Sequence, residues 1–312
     1  MSKGLDVITV GEAMVLFAAQ QAGSLDDAHS FARTTAGAEL NVAIGLARLG
    51  MRVGYISRLG QDLFGRHIAA VLAREGIDHQ HVVMDAERST GFMLKSRSDD
   101  GSDPQIQYFR KGSAASCMQV GELSSAYCAS ARHLHLTGIF VGVTPNTREL
   151  VFELAKRSRA AGLSISFDPN LRPTLWRSQD EMVDKLNQLS TFADWVLPGL
   201  EEGQLLTGCD SVQGIADFYL ERGAKGVVIK LGPQGAFYAS PTERGHVAGV
   251  PVARVVDTVG AGDGFAVGVI SGLLEGLTLA EATTRGNAIG ARVVQFPGDA
   301  DGLPTRSELF ST

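Results

Sequence analysis

The residues best suited to chemistry sit in one run, Asp257-Thr-Val-Gly-Ala-Gly-Asp263, which leads into an apolar stretch from Gly264 to Leu274. Glycines let a backbone approach a ligand closely and turn its N–H groups inward. A helix beginning near Asp263 would add unpaired N–H donors and a partial positive charge, both suited to a transferring phosphoryl group. A carboxylate at the same place can accept the proton of an attacking hydroxyl. Base and anion hole within one turn are what phosphoryl transfer to an alcohol requires. Taken alone, the run fits equally well an Asp that caps a helix after a glycine-rich turn.

A turn of this kind needs a rigid frame. A strand-like run, Ala253–Val256, feeds it, and short apolar runs recur at Val7–Val10, Val53–Ser57, His133–Leu136, Ser164–Phe167, Trp195–Leu197 and Val227–Leu231. Amphipathic segments lie between them, at Asn41–Leu49, Phe64–Glu75, Thr147–Ala161, Gln179–Ser190 and Val212–Arg222. Helices alternating with near-continuously apolar strands predict an α/β fold, a mainly parallel central sheet flanked by helices. Two regions, 13–37 and 89–111, break that rhythm. There the pattern alternates, as in Phe92-Met-Leu-Lys-Ser and Ile106-Gln-Tyr-Phe-Arg, joined by a polar turn at 98–105. They predict a small β-sheet lid over an α/β core made of 1–12, 38–88 and 112–312. No internal repeat, low-complexity tract or linker divides the chain.

The 312 residues suit one large domain with an accessory piece. A hydrophobic share of 44% and a charged share of 20% fit a soluble protein with a large core. The net charge of -6 argues against a phosphate-coating surface, and so against nucleic acid. Three widely spaced cysteines, Cys117, Cys128 and Cys209, give neither a disulfide framework nor a zinc pattern. The start, MSKGLDVITVGEA, reads as a first strand, and no stretch approaches the roughly 20 apolar residues of a membrane helix. The expectation is a cytoplasmic protein with no membrane partner.

Asp257-Thr-Val-Gly-Ala-Gly-Asp263 resembles, over its whole length, the second signature of the ribokinase (PfkB) family. The first signature is similar to Ala36-Gly37-Ala-Glu-Leu-Asn41-Val-Ala-Ile-Gly-Leu-Ala-Arg-Leu-Gly50, followed by Gly60-Gln-Asp62 and Gly65. The likeness extends from Val10-Gly-Glu to Gly298-Asp. It implies a ribokinase-like kinase using ATP and Mg2+, with the option of a monovalent cation on carbonyls near Asp257 and Val259. Asp263 would be the base, the N–H groups of Gly260, Ala261 and Gly262 the anion hole, and Gly37 and Asn41 would face the sugar. Lys230-Leu-Gly232-Pro-Gln-Gly235 resembles the family's segment along the nucleotide, and Asn287 sits where the family contacts the adenine side. Glu202, in Pro198-Gly-Leu-Glu-Glu202, is in register with a carboxylate that acts through magnesium-bound water, although Gly199 replaces the family's frequent Asn. Without the resemblance, Asn41 is a first-turn helix residue, Gly232 and Gly235 a hairpin turn, and Glu202 an exposed helix carboxylate.

Tyr108-Phe-Arg110 and Asp168-Pro-Asn-Leu-Arg172 resemble the lid and Asp-x-Asn-x-Arg segments of the family's 2-keto-3-deoxygluconate kinases. Two arginines near one small ligand suit the carboxylate of a sugar acid, through charge-assisted and often bidentate bonds. Neutral ribose or fructose offers no such charge. Asp299 matches the Asp that the resemblance places on sugar hydroxyls, and Phe92 stands where this group often has Tyr. The bland readings are Arg172 on ATP phosphates, Arg110 as a solvated lid residue and Asp299 as a turn carboxylate. The expected reaction is phosphorylation of the terminal primary hydroxyl of 2-keto-3-deoxygluconate. Alternatives are a fructokinase, a ribokinase, a kinase of an inositol-derived acid or, from another class, a non-catalytic sugar-binding regulator. A nicotinamide dehydrogenase is set aside, because the first strand runs into Gly11-Glu-Ala-Met. Apolar lid residues Phe92, Met93, Ile106 and Phe109 predict pairing of protomers into a homo-oligomer.

Overall fold

A strand covered on both sides must send successive side chains to opposite faces. Ile8 and Val10 fall in one apolar cluster and Val7 in another. Val227 and Ile229 part from Val228 in the same way, as Ile56 does from Val53 and Tyr55. The computed structural model describes residues 4–97 and 104–309, so most of the turn expected at 98–105 lies outside the described residues. Its strands, in chain order, are β1 (Leu5–Val10), β2 (Met14–Ala22), β3 (Phe31–Ala36), β4 (Val53–Gly60), β5 (Val82–Asp85), β6 (Phe92–Arg97) and β7 (Ile106–Phe109). They continue with β8 (Ala131–Thr137), β9 (Ser164–Asp168), β10 (Trp195–Val196), β11 (Gly226–Lys230), β12 (Gly235–Ala239) and β13 (Arg244–Ala248).

Nine strands form the main sheet, in the order β13-β12-β11-β10-β9-β8-β1-β4-β5. Pairing is parallel from β11 through β5, as the sequence predicts, and antiparallel where β12 and β13 are added at one edge. The first apolar cluster packs helices Pro145–Ala160, Gln179–Ser190 and Val212–Leu220 on one face. The second packs Ala38–Arg48, Ala261–Leu274 and Leu279–Val293 on the other. Local chemistry starts these helices where they start. Asp62 accepts from the Gly65 N–H at 2.7 Å, and Thr144 and Thr147 cap reciprocally with Pro145 in the first turn. Among the described residues, no helix is long and apolar enough to cross a membrane.

One expectation fails here. Ala253–Val256 is not a strand. The N–H groups of Val256 and Asp257 instead donate to the Val294 carbonyl, at 2.7 and 3.2 Å, and both valines of the run stand exposed. The segment therefore leans on the end of the Leu279–Val293 helix and pairs with no neighbouring strand.

A second, four-stranded sheet has the order β3-β2-β6-β7, with β2 and β6 parallel and both outer pairs antiparallel. Alternation divides its residues too. Met14, Leu16, Ala36 and Met93 cluster on one face. On the other, Phe92 stacks on Phe109, ring centroids 4.6 Å apart and planes 6° from parallel, and packs near Phe17 and Phe64.

Candidate active site

Parallel strands end along one edge of an α/β sheet, where loops can converge on a ligand. Here β9 ends at Asp168 and β11 at Lys230. A cavity of about 390 Å³ opens between that edge and the small sheet. Met14, Ala36, Met93, Ile106 and Tyr108 line it from the small sheet; Asn41, Asn170, Arg172, Glu202, Lys230, Gly262 and Asp263 line it from the main body.

The Ala261–Leu274 helix starts inside this cavity. Gly260, at φ 84°, is its first flanking residue, and a Cβ there would strike the Asp299 carbonyl, so only glycine fits. Gly264 is the first residue whose N–H reaches a carbonyl four back, that of Gly260 at 2.9 Å. The N–H groups of Gly262 and Asp263 therefore precede the helical ladder. That of Ala261 is directed to the Thr258 carbonyl at 3.4 Å, which leaves it less available to an anion than the sequence reading expects. Asp263 is 7% exposed. Its Oδ2 accepts from Asn41 Nδ2 at 2.8 Å and its Oδ1 from Asn170 Nδ2 at 3.4 Å. Burial, with the Asp168 and Asp299 carboxylates nearby, pushes its pKa up to about 7; the Asn41 hydrogen bond and the Arg172 charge work the other way. A carboxylate so placed can take up a proton near neutral pH.

Two further groups flank the helix start. Lys230 Nζ donates to Asp168 Oδ2 at 2.7 Å and lies 3.6 Å from where a Cβ on Gly262 would be. Burial pushes the Asp168 carboxyl up to about 6, against the pull of Lys230. Burial also works against charge on Lys230, but Asp168 and Glu202 outweigh it and hold the ammonium above its ordinary range. Glu202 is gripped by backbone: Oε1 accepts from the Leu171 N–H and Oε2 from the Gly199 N–H, both at 2.7 Å. Gly199 thus fixes Glu202 with its main chain, although it brings no amide side chain.

On the opposite wall, Arg110 is held by Glu12, with Nε 2.7 Å and Nη2 2.5 Å from Oε2. Ser113 Oγ donates to the other Glu12 oxygen at 2.5 Å. Tyr108 is 40% exposed, and Arg110 lies 5.9 Å from its ring centroid. Arg172 Nη1 donates to the Leu171 carbonyl at 2.8 Å. Asp299 is buried and accepts from Lys95 Nζ at 2.7 Å.

The sequence pattern of the pfkB family carbohydrate kinases matches residues 5–306. This chain is a pfkB family carbohydrate kinase. The kinase is 50% identical, over 308 residues, to the 2-dehydro-3-deoxygluconokinase of Bacillus subtilis (strain 168), covering 98% of this chain and 95% of that protein. Among solved structures, a PfkB protein from Polaromonas sp. JS666 is 54% identical and superposes with a TM-score of 0.91, covering 99% of this chain and 100% of that one. A putative ribokinase II from E. coli, in complex with ATP and Mg2+, is 28% identical with a TM-score of 0.89, covering 98% and 97%.

The fold thus brings most of the kinase's expected site residues together. Gly37, Asn41, Tyr108, Arg110, Arg172, Glu202, Lys230, Gly260, Gly262, Asp263 and Asp299 share the cavity. Phe92 does not line it. In a strand, neighbours face opposite ways, so Met93 takes the cavity side and Phe92 joins the aromatic cluster behind the sheet. Met93, expected at an exposed pairing face, is 3% exposed for the same reason. Gly232 and Gly235 form the β11–β12 hairpin turn, and Gly235 packs against the β13 backbone. Asn287 Nδ2 donates to the carbonyls of Val247 and Ala248, each at 3.1 Å, so its amide ties a helix to β13.

Sequence reasoning passed over Glu12, Lys95, Asp168 and Asn170 as functional residues. Asp168 and Asn170 sat inside the quoted Asp-x-Asn-x-Arg run, and Asn170 adopts φ 41°, a positive value uncommon outside glycine. Glu12 and Lys95 gave no local signal; their partners lie 98 to 204 residues away.

Proposed function

We propose that this kinase transfers the γ-phosphoryl group of ATP to the terminal primary hydroxyl of 2-keto-3-deoxygluconate, with Asp263 as the general base. One observation carries the reading: a buried carboxylate poised near neutral pH at a helix start shares a 390 Å³ cavity with Arg110 and Arg172. Asp263 takes the hydroxyl proton as the oxygen attacks phosphorus. The N–H groups of Gly262 and Asp263, with the Lys230 ammonium, face the charge that grows on the phosphoryl oxygens. The two guanidiniums hold the sugar acid's carboxylate, and Asn41 and Asp299 its hydroxyls. The small sheet acts as a lid that keeps out water, the competing acceptor. The similarity to a 2-dehydro-3-deoxygluconokinase supports the same substrate.

Magnesium fits these residues. The Glu202 carboxylate lines the cavity, and an ion there would be held mainly by phosphate and water. Glu202 would hold it through water, and the ion would offset phosphate charge.

Glu12 favours a second reading, a neutral sugar as acceptor, because it already neutralises one edge of the Arg110 guanidinium. ADP release by purified protein with ATP and magnesium, across 2-keto-3-deoxygluconate, its galactonate epimer, gluconate, fructose and ribose, separates the two. Turnover confined to keto-deoxy acids is the expected result; faster turnover of fructose or ribose would overturn the sugar-acid assignment while leaving Asp263 as base.

A further inference from the structure

Lys95 belongs to neither signature and has no part in the reaction above, yet its side chain is only 3% exposed. It points from β6 to the same face as Met93. Its Nζ donates to Asp257 Oδ2 at 2.6 Å and to Asp299 Oδ1 at 2.7 Å. Asp299 is buried and Asp257 largely so, and both belong to the main body, not to the small sheet. Asp257 Oδ1 accepts from the Val259 N–H at 3.0 Å, which fixes the start of the glycine-rich turn. The Asp299 carbonyl abuts Gly260 at the end of that turn. One ammonium from the small sheet thus holds the turn beneath Asp263 from both sides. Burial works against charge on Lys95, but Asp299 and Asp257 outweigh it and hold the ammonium above its ordinary range.

A second cavity, of about 470 Å³, is lined by Lys95, Ser96, Val256 and Asp257. It shares Pro104 and Thr258 with the sugar cavity, whose own lining includes Asp299. The three paired side chains therefore stand in the partition between the two spaces.

We propose that Lys95 is a positioning residue that clamps the small sheet onto the phosphoryl-transfer turn and keeps water from the reacting phosphate. Without the ammonium, the small sheet loses its tie to the turn, and Asp257 and Asp299 are left as two unneutralised carboxylates whose repulsion loosens the turn itself. Water then replaces the sugar hydroxyl: its oxygen bonds to the γ-phosphorus, the bond to ADP breaks, and phosphate and a proton leave. The inference rests on the family's kinase activity and not on which sugar is preferred, so a neutral-sugar outcome in the experiment above leaves it standing.

The test is steady-state kinetics of Lys95→Met, Lys95→Arg and the double variant Lys95→Met/Asp257→Asn, each with the sugar that the unaltered kinase turns over fastest. For Lys95→Met the sugar KM should rise about tenfold or more while the ATP KM stays within about twofold, the range expected when coupled neighbours are separated. ATP consumed without sugar phosphate formed should rise with it. Arg should restore most of the loss, and the double variant should be no worse than the single, since it also removes one stranded charge. If Lys95→Met fails to fold, the Arg and double variants carry the same comparison against the unaltered protein. A lower Tm with sugar KM and coupling unchanged, or a double variant clearly worse than Lys95→Met, would overturn the proposal.

Discussion

The main sheet meets the cavity with Lys230, Asp168 and the helix that carries Asp263, whereas the small sheet meets it with Met93, Ile106 and Tyr108, and Arg110 follows its last strand. The first set consists of ionisable groups on parallel strand ends and a helix start, Asp168 and Asp263 buried and Lys230 partly so, with both carboxyls pushed up by burial. The second is mostly apolar and partly exposed, and Arg110 is already paired with Glu12. A rigid, desolvated wall suits bond making, where charge must be stabilised without rearrangement. A smaller, more open wall suits recognition. Substitutions on the main-sheet side should therefore lower kcat, and those on the small-sheet side should act on the sugar KM or on stability.

Asp263→Asn should have the largest effect. It removes the base and keeps the acceptor for Asn41, so kcat should fall about 10³-fold or more while calorimetry still detects sugar and nucleotide binding. Lys230→Met should come next, with kcat down about 10²-fold and a sugar KM changed far less. A sugar KM that rose as much as kcat fell would break the division between the walls. The pH profile is smaller in scale but sharper. Because Asp263 must be ionised to act, kcat/KM should rise about tenfold per unit as pH climbs toward 7 and level off above it.

The same raised pKa has a stability consequence of opposite sign. The folded carboxyl holds its proton to about 7, whereas the unfolded one releases it near 3.8, so its stabilising protonation is lost as pH rises between those values. Thermal melts should show the Tm of Asp263→Asn minus that of the unaltered kinase rising from pH 5 to pH 8; a difference that falls with rising pH would contradict the burial argument. The smallest kinetic effect is expected at Phe92. Phe92→Leu should lower Tm by a few degrees through lost aromatic packing and leave the sugar KM within about twofold. A large KM change there would put Phe92 back against the sugar.

The two walls also differ in how much of them the sequence discloses. The Asp257–Asp263 turn is contiguous, and its glycines and carboxylate state their chemistry within seven residues. Most parallel strands are buried on both faces and read as apolar runs, so β1, β4 and β8 to β11 were legible, whereas the short, half-exposed edge strand β5 was not. β12 and β13 were signalled only by the hairpin reading of Gly232 and Gly235, and β13 is largely solvent-facing, so its hydrophobic pattern is weak. The small sheet showed its alternation, but alternation alone leaves the choice of face open, and the resemblance put Phe92 at the sugar, one position from the Met93 that lines the cavity. Lys95 and Glu12 stayed hidden for another reason. A lone Lys in a strand and a Glu after one resemble ordinary surface residues until the chain brings their partners across.

The most direct measurement is the ratio of kcat/KM for 2-keto-3-deoxygluconate to that for fructose, in the unaltered kinase and in Arg110→Ala. The expected result is a large preference for the acid that falls about tenfold or more in the variant, with the fructose value little changed, as loss of a charge-assisted contact to the carboxylate requires. An undiminished preference for the acid in Arg110→Ala, or a preference for fructose in the unaltered protein, would contradict a sugar-acid site built on this arginine.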